Sequence, residues 1–180
     1  AQQLAKWLLK LENGEVVDFF YNCIDSEEQL LQFHVQGERV RVYAPYEERS
    51  VKPLPIETVK AAVLKYCIDL HIALTRIGYK YRLTDELKQL VSDNQWALIL
   101  FECNVYDEAF SQIEQLAKSK PSVESLNNYA YLLLREEENH ERAWDVLQQL
   151  LPMQPQSDFP YLMLGELALR FKRYQEAKTY

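Results

Sequence analysis

Tyr106-Asp-Glu-Ala109-Phe, His140-Glu-Arg-Ala143-Trp and Tyr174-Gln-Glu-Ala177-Lys set down one short frame three times, 34 residues apart. Pro121 and Pro155 each follow their alanine by 12 residues. A second series runs ahead of the first: Trp96-Ala97, Tyr129-Ala130 and Leu164-Gly165, each a bulky residue followed by a small one. Two landmark series that keep nearly the same period mark an internal repeat, and a repeat constrains a fold more than any local propensity.

The residue types explain the period. A small residue at a helix crossing lets a neighbouring helix come close, bulky residues three or four positions away fill the adjacent gaps, and proline ends the second helix. In the middle period Leu126, Tyr129, Ala130, Leu133 and Leu134 share one helix face. Beyond the polar link from Glu136 to His140, Ala143, Val146, Leu147, Leu150 and Leu151 form another. Each period therefore predicts a helical hairpin, and hairpins apolar on both helices must stack on their neighbours.

On these marks the segment from about Leu90 to Tyr180 resembles tetratricopeptide repeats. The family's small first-helix residue matches Ala97, Ala130 and Gly165, its turn residue matches Tyr106 and Tyr174, its second-helix alanine matches Ala109, Ala143 and Ala177, and its terminal proline matches Pro121 and Pro155. The expected units are about 90–122, 123–157 and 158–180. The middle one carries an extra residue, since Ala130 to Ala143 spans 13 positions where the others span 12. The last is incomplete, which predicts self-association or a continuing chain. The fold expected is mostly α, a solenoid of stacked hairpins over residues 86–180 preceded by a small α+β domain over 1–85.

In the front domain the 34-residue frame is absent. Leu4, Trp7, Leu8 and Leu11 space as a short helix ending at Asn13-Gly14. Glu15 to Ile24 is rich in β-branched and aromatic residues. Leu31, Phe33 and Val35 alternate, Gln36-Gly37 can turn, and Val40, Val42 and Ala44 alternate again. A three-stranded antiparallel sheet is expected, with a helix across 16–34 as the competing reading. Tyr46 to Pro55, with Pro53, reads as an exposed connection. A helix over about 56–78 follows, carrying a wide apolar stripe from Val59 to Ile77 and closing at Gly78.

Composition narrows the function. With 20 Lys+Arg against 27 Asp+Glu the 180-residue chain carries −7, and 48% hydrophobic residues supply a core that a disordered chain lacks. Four glycines are too few for the many tight turns of a sandwich or barrel. The longest uncharged apolar stretches, Trp96–Phe101 and Tyr129–Leu134, are six residues each, against roughly 20 needed to cross a bilayer, so no membrane insertion is expected. No basic patch precedes a long apolar region at the start, so a cytoplasmic location is expected. Cys23, Cys67 and Cys103 lack metal-ligand or pairing spacing and read as buried thiols. The negative charge, with no Lys/Arg run longer than two, argues against nucleic acid.

Catalytic and metal readings find little support. His34, His71 and His140 lie far apart, Asp69 and His71 point to different helix faces, and no phosphate-binding glycine motif occurs. Glu136 to Glu138 and Asp25 to Glu28 read as solvated faces rather than calcium loops. Arg39, Arg41 and Tyr43 share a strand face that offers an anionic contact, although exposed alternating charge is ordinary there. No cofactor or metal is expected.

The tetratricopeptide resemblance implies a protein or peptide partner lying along the first helices. Carried over from the small-residue marks, that face comprises Asn94, Leu98 and Phe101, then Asn127, Tyr131, Leu134 and Arg135, then Leu162, Glu166, Leu169 and Arg170. Leu98, Tyr131 and Glu166 stand at one recurrent position of the family's clamp for C-terminal carboxylates, which argues against that specificity. The face either receives a partner, with Phe101, Tyr131 and Leu134 as anchors, or is filled by the front half. Burying a large side chain contributes roughly 1.5–3 kcal/mol in both cases. The leading expectation is a non-enzymatic protein-interaction module or adaptor. A secretion or assembly chaperone is the alternative, and an enzyme with its site in the front domain comes third.

Overall fold

A computed structural model describes residues 2–22, 29–43, 52–79, 83–135, 137–153 and 156–180, apart from the side chains of 22, 29, 30 and 137. Cys23, the tract Asp25 to Glu28, Ala44 to Arg49, Glu136 and Pro155 lie outside the described residues. The chain divides into two compact units, Ala1–Ser92 and Asp93–Tyr180.

In the first unit α1 (Gln2–Glu12) buries Ala5, Trp7, Leu8 and Leu11. It closes at Gly14, whose φ of 81° lets Glu15 N–H reach Lys10 O at 2.9 Å. Strands β1 (Phe19–Asn22), β2 (Gln29–Gln36), β3 (Arg39–Tyr43) and β4 (Leu54–Pro55) form an antiparallel sheet in chain order. The fourth strand corrects the expected count of three. It consists of the last two residues of the expected connection, and Val40 pairs with Leu54. Among the described residues β1 and β2 stand in place of the competing helix across 16–34, and β1 begins at Phe19 rather than at Glu15. The β2–β3 turn has two residues, with Gly37 at φ 60° supplying the positive angle that a tight hairpin requires at its first position.

Alternation puts Phe19, Phe33 and Val40 on the buried sheet face. Trp7 packs on it, 5.9 Å from Phe19 and 5.0 Å from Phe33 between ring centroids, while its Nε1 donates to Val17 O. Helix α2 (Ile56–Arg76) starts where Ile56 N–H donates to Glu38 O at the hairpin turn, and ends two residues before the expected 78 because Gly78, at φ 73°, closes it. Its buried residues are Val59, Val63, Cys67 and His71, one line at intervals of four. The stripe is thus narrower than expected, with Tyr66 and Ile77 exposed. Helix α3 (Thr84–Leu90) packs on α1 and α2, and Leu83 N–H donates to His71 Nδ1 at 3.2 Å. These contacts carry the first unit to Ser92, beyond the boundary at 85 read from sequence.

The second unit holds α4 (Asp93–Glu102), α5 (Tyr106–Ser119), α6 (Val123–Leu133), α7 (His140–Leu150), α8 (Phe159–Arg170) and α9 (Tyr174–Ala177). Consecutive helices pack in pairs, α4 on α5, α6 on α7 and α8 on α9, and α5 meets α6 as α7 meets α8. Ala97, Ala109, Ala130, Ala143 and Ala168 are completely buried, so their missing bulk is what the crossings use. The α4–α5 and α8–α9 links turn on Asn104 (φ 63°) and Lys172 (φ 58°). The α6–α7 link, residues 134–139 against three residues in each of the other two, has no left-handed residue among its described positions and instead runs through a 3-10 turn, Glu137–Asn139. At the start of α6, Ser122 Oγ accepts from Ser125 N–H, and Ser125 Oγ accepts from Ser122 N–H.

Candidate functional site

The first-helix residues fall into two groups within the second unit. Phe101, at the end of α4, meets Tyr131 of α6 at 6.4 Å between ring centroids and Tyr106 of α5 at 5.1 Å, both edge-on. Arg135 lies over both partners of the first contact, with Cζ 4.9 Å from the Tyr131 centroid and 5.4 Å from that of Phe101, and donates to the Tyr131 hydroxyl. The structure therefore gathers Phe101, Tyr131 and Arg135, residues from two helices and a turn, into one aromatic and cationic cluster.

The remaining residues are placed differently. Asn94, Leu98, Asn127 and Leu134 are half-buried, and the Oδ1 atoms of Asn94 and Asn127, three residues before Ala97 and Ala130, are covered and accept no hydrogen bond from the described residues. On α8, Leu162 and Leu169 are 65% and 57% exposed, and Glu166 pairs with Arg170 at 2.8 Å. Among the described residues, no hydrogen bond, ion pair or ring contact ties this α8 set to Phe101, Tyr131 or Arg135.

Behind Phe101 and Arg135 opens a groove of about 630 Å3 walled mainly by the second helix α5, with Arg142 of α7 at its far side. Phe110, Glu114 and Arg142 line it, and sequence reasoning missed all three because it followed only the first helices. Arg142 Nη2 meets Glu114 Oε1 at 2.7 Å and also the buried Tyr129 hydroxyl, which donates to Glu114 at 2.8 Å. Lys118 adds a bond at 2.9 Å, and these donors hold the Glu114 carboxyl below its usual range. Burial, then the adjacent Glu114 carboxylate, pushes the Tyr129 hydroxyl up to about 12. One signal was available: the third frame position reads Glu108, Arg142, Glu176, a cation in the middle unit alone.

In the first unit Lys65 binds Asp69 at 2.7 Å on the surface, separate from the buried His71, which serves as a hydrogen-bond acceptor for the chain entering α3. Arg39 is spent on Pro53 O and Arg41 on the Tyr43 hydroxyl. Cys67 and Cys103 are buried thiols outside any disulfide among the described residues, and burial pushes that of Cys67 up. Among the described residues no cluster of three or more His, Cys, Asp or Glu side chains could hold a metal ion, and no helix is long and apolar enough to cross a membrane.

A family model described as a domain of unknown function, DUF7878, matches residues 1–76, ending on the last residue of α2. No curated protein and no solved structure matches the chain.

Proposed function

We propose that the chain is a non-enzymatic docking module, in which residues 93–180 form a tetratricopeptide-type stack and hold a protein partner against the first helices α4, α6 and α8. One observation carries this reading. Helices that bury Ala97, Ala130, Leu133, Leu164 and Ala168 completely still leave Tyr131, Leu162 and Leu169 between 37% and 65% exposed, all at positions assigned to the first-helix face. Large apolar and aromatic side chains in that setting are the kind that anchor interfaces. The paired helices and the shared 34-residue spacing of the first residues of α5, α7 and α9, namely Tyr106, His140 and Tyr174, support the stacked arrangement.

The test is affinity capture with the intact chain and with Tyr131→Ala, Leu162→Ala, Leu169→Ala combined. Because the three side chains are exposed, the variant is expected to melt within a few degrees of the parent while losing specific partners. An unchanged set of captured proteins removes the first-helix face as a docking surface.

A further inference from the structure

Arg135 has no carboxylate partner among the described residues of a chain with 27 acidic side chains. Its neighbours in the groove are differently occupied. Arg142 is bound through Nη2 to Glu114, which Lys118 and the Tyr129 hydroxyl also bind, so the charge of Arg142 is already met by a carboxylate. Arg135 instead stacks on two rings and spends one bond on a phenol, leaving most of its five donors unused beside a groove of about 630 Å3. Contact with two rings and the bond to the Tyr131 hydroxyl restrict the guanidinium, which lowers the cost of ordering it for a second, bidentate bond.

The ligand can be narrowed by what surrounds that fork. Phe101, Tyr106 and Phe110 give the groove an aromatic floor suited to a flat or branched apolar group. Asp107 and Glu114 place two carboxylates on the same walls, which disfavours a dianion such as a phosphate monoester but tolerates a single negative charge held at Arg135. We infer that this groove receives a segment of a partner protein in which an Asp or Glu side chain stands next to an aromatic residue, the carboxylate on Arg135 and the ring against Phe101 and Phe110. This rests on the docking reading, since Phe101 and Arg135 border both surfaces, but the groove is walled mainly by α5 and does not include Leu162 or Leu169.

The experiment titrates the full 15N-labelled chain with acetyl-Phe-Glu-amide, acetyl-Phe-Gln-amide and phenyl phosphate, following the Arg135 Nε–H and the Tyr106 and Phe110 amides. The glutamate peptide is expected to shift these signals and to bind at least about fivefold more tightly than the glutamine peptide, the ratio a single charge-assisted contact of about 1 kcal/mol supplies. Arg135→Gln should abolish that preference, and Arg135→Lys should retain part of it because the charge survives without the fork. Both substitutions are at an exposed side chain, and an unchanged melting temperature confirms that the groove persists. Equal binding of the two peptides, a preference that survives Arg135→Gln, or tighter binding of phenyl phosphate each overturns the inference. The double substitution Leu162→Ala plus Leu169→Ala separates the two ideas: lost capture with intact peptide preference upholds the docking face and the groove alike, whereas lost preference in Arg135→Gln with unaltered capture in the α8 variant upholds the groove alone.

Discussion

Lys172 holds φ at 58°, a left-handed angle that costs a side-chain-bearing residue about 1 kcal/mol relative to glycine. It does so because Arg173 N–H must return to Ala168 O and Lys172 N–H to Leu169 O to finish α8. Lys172→Gly is therefore expected to stabilise the second unit by about 0.5–1 kcal/mol, read as a raised urea midpoint. Gly165 makes the converse case. It was read as a close-approach residue, yet an added Cβ would meet only Tyr180 Cβ, at 3.9 Å, an ordinary contact. Since glycine inside a helix costs about 0.5–1 kcal/mol against alanine, Gly165→Ala should also raise the midpoint, and a fall would show that α8 needs the bare backbone. The Glu114 and Tyr129 pair sets the pH response. A carboxyl held below its ordinary 4.5 stabilises the fold above that pH and loses the contribution as acid carries pH down toward its lowered value. A phenol raised from 10.0 to about 12 contributes below pH 10 and loses it as pH climbs through that interval. Glu114→Gln should flatten the acid limb of stability against pH, and Tyr129→Phe the alkaline limb, in chemical denaturation across the pH range.

At the scale of elements, sequence legibility followed the source of the signal. The starts of α5, α7 and α9 at Tyr106, His140 and Tyr174 stand 34 residues apart, as the repeated frame does, because the frame records where each second helix must meet its neighbour. Strand β4 was invisible, since two residues carry no alternation and Pro55 argues against a strand; it exists because Arg39 and Val40 offer free ladder positions at the sheet edge. The first-helix face was legible as a list of positions, but only the structure shows Arg135 stacking across two helices, because periodicity reports which face a residue takes and not which rings it finds there. Groove residues on α5 and α7 were lost for the same reason. Buried polar pairs are likewise tertiary facts. Leu83 N–H, entering α3, has His71 Nδ1 as an acceptor inside the first unit. His71→Ala leaves that buried donor without it and should cost about 1–3 kcal/mol, measured by thermal or urea denaturation.

The two units are each equipped with a core of their own, which is the physical condition for separate cooperative folding. In the first, α1 and α2 cover one face of a sheet whose strands read as alternating sequence. In the second, one apolar cluster runs from Ala97 through Leu133 and Leu147 to Leu164 and Ala168, so no hairpin of the three encloses a core alone. Truncating a fully buried leucine typically costs about 2–5 kcal/mol, and the loss spreads as far as the cooperative unit that contains it. Leu133→Ala should therefore lower hydrogen-exchange protection throughout α6 and α7 while leaving the slowest amides of α1 and β2 unchanged. Leu8→Ala should do the reverse, weakening α1, β2 and α2 and sparing α6. Because Leu133 and Leu8 are 0% and 2% exposed, both substitutions create cavities of comparable kind, and the difference lies only in which core holds them. A uniform drop across all the helices in both variants would make the chain one cooperative body, and the proposed docking by residues 93–180 would then depend on the stability of residues 1–92.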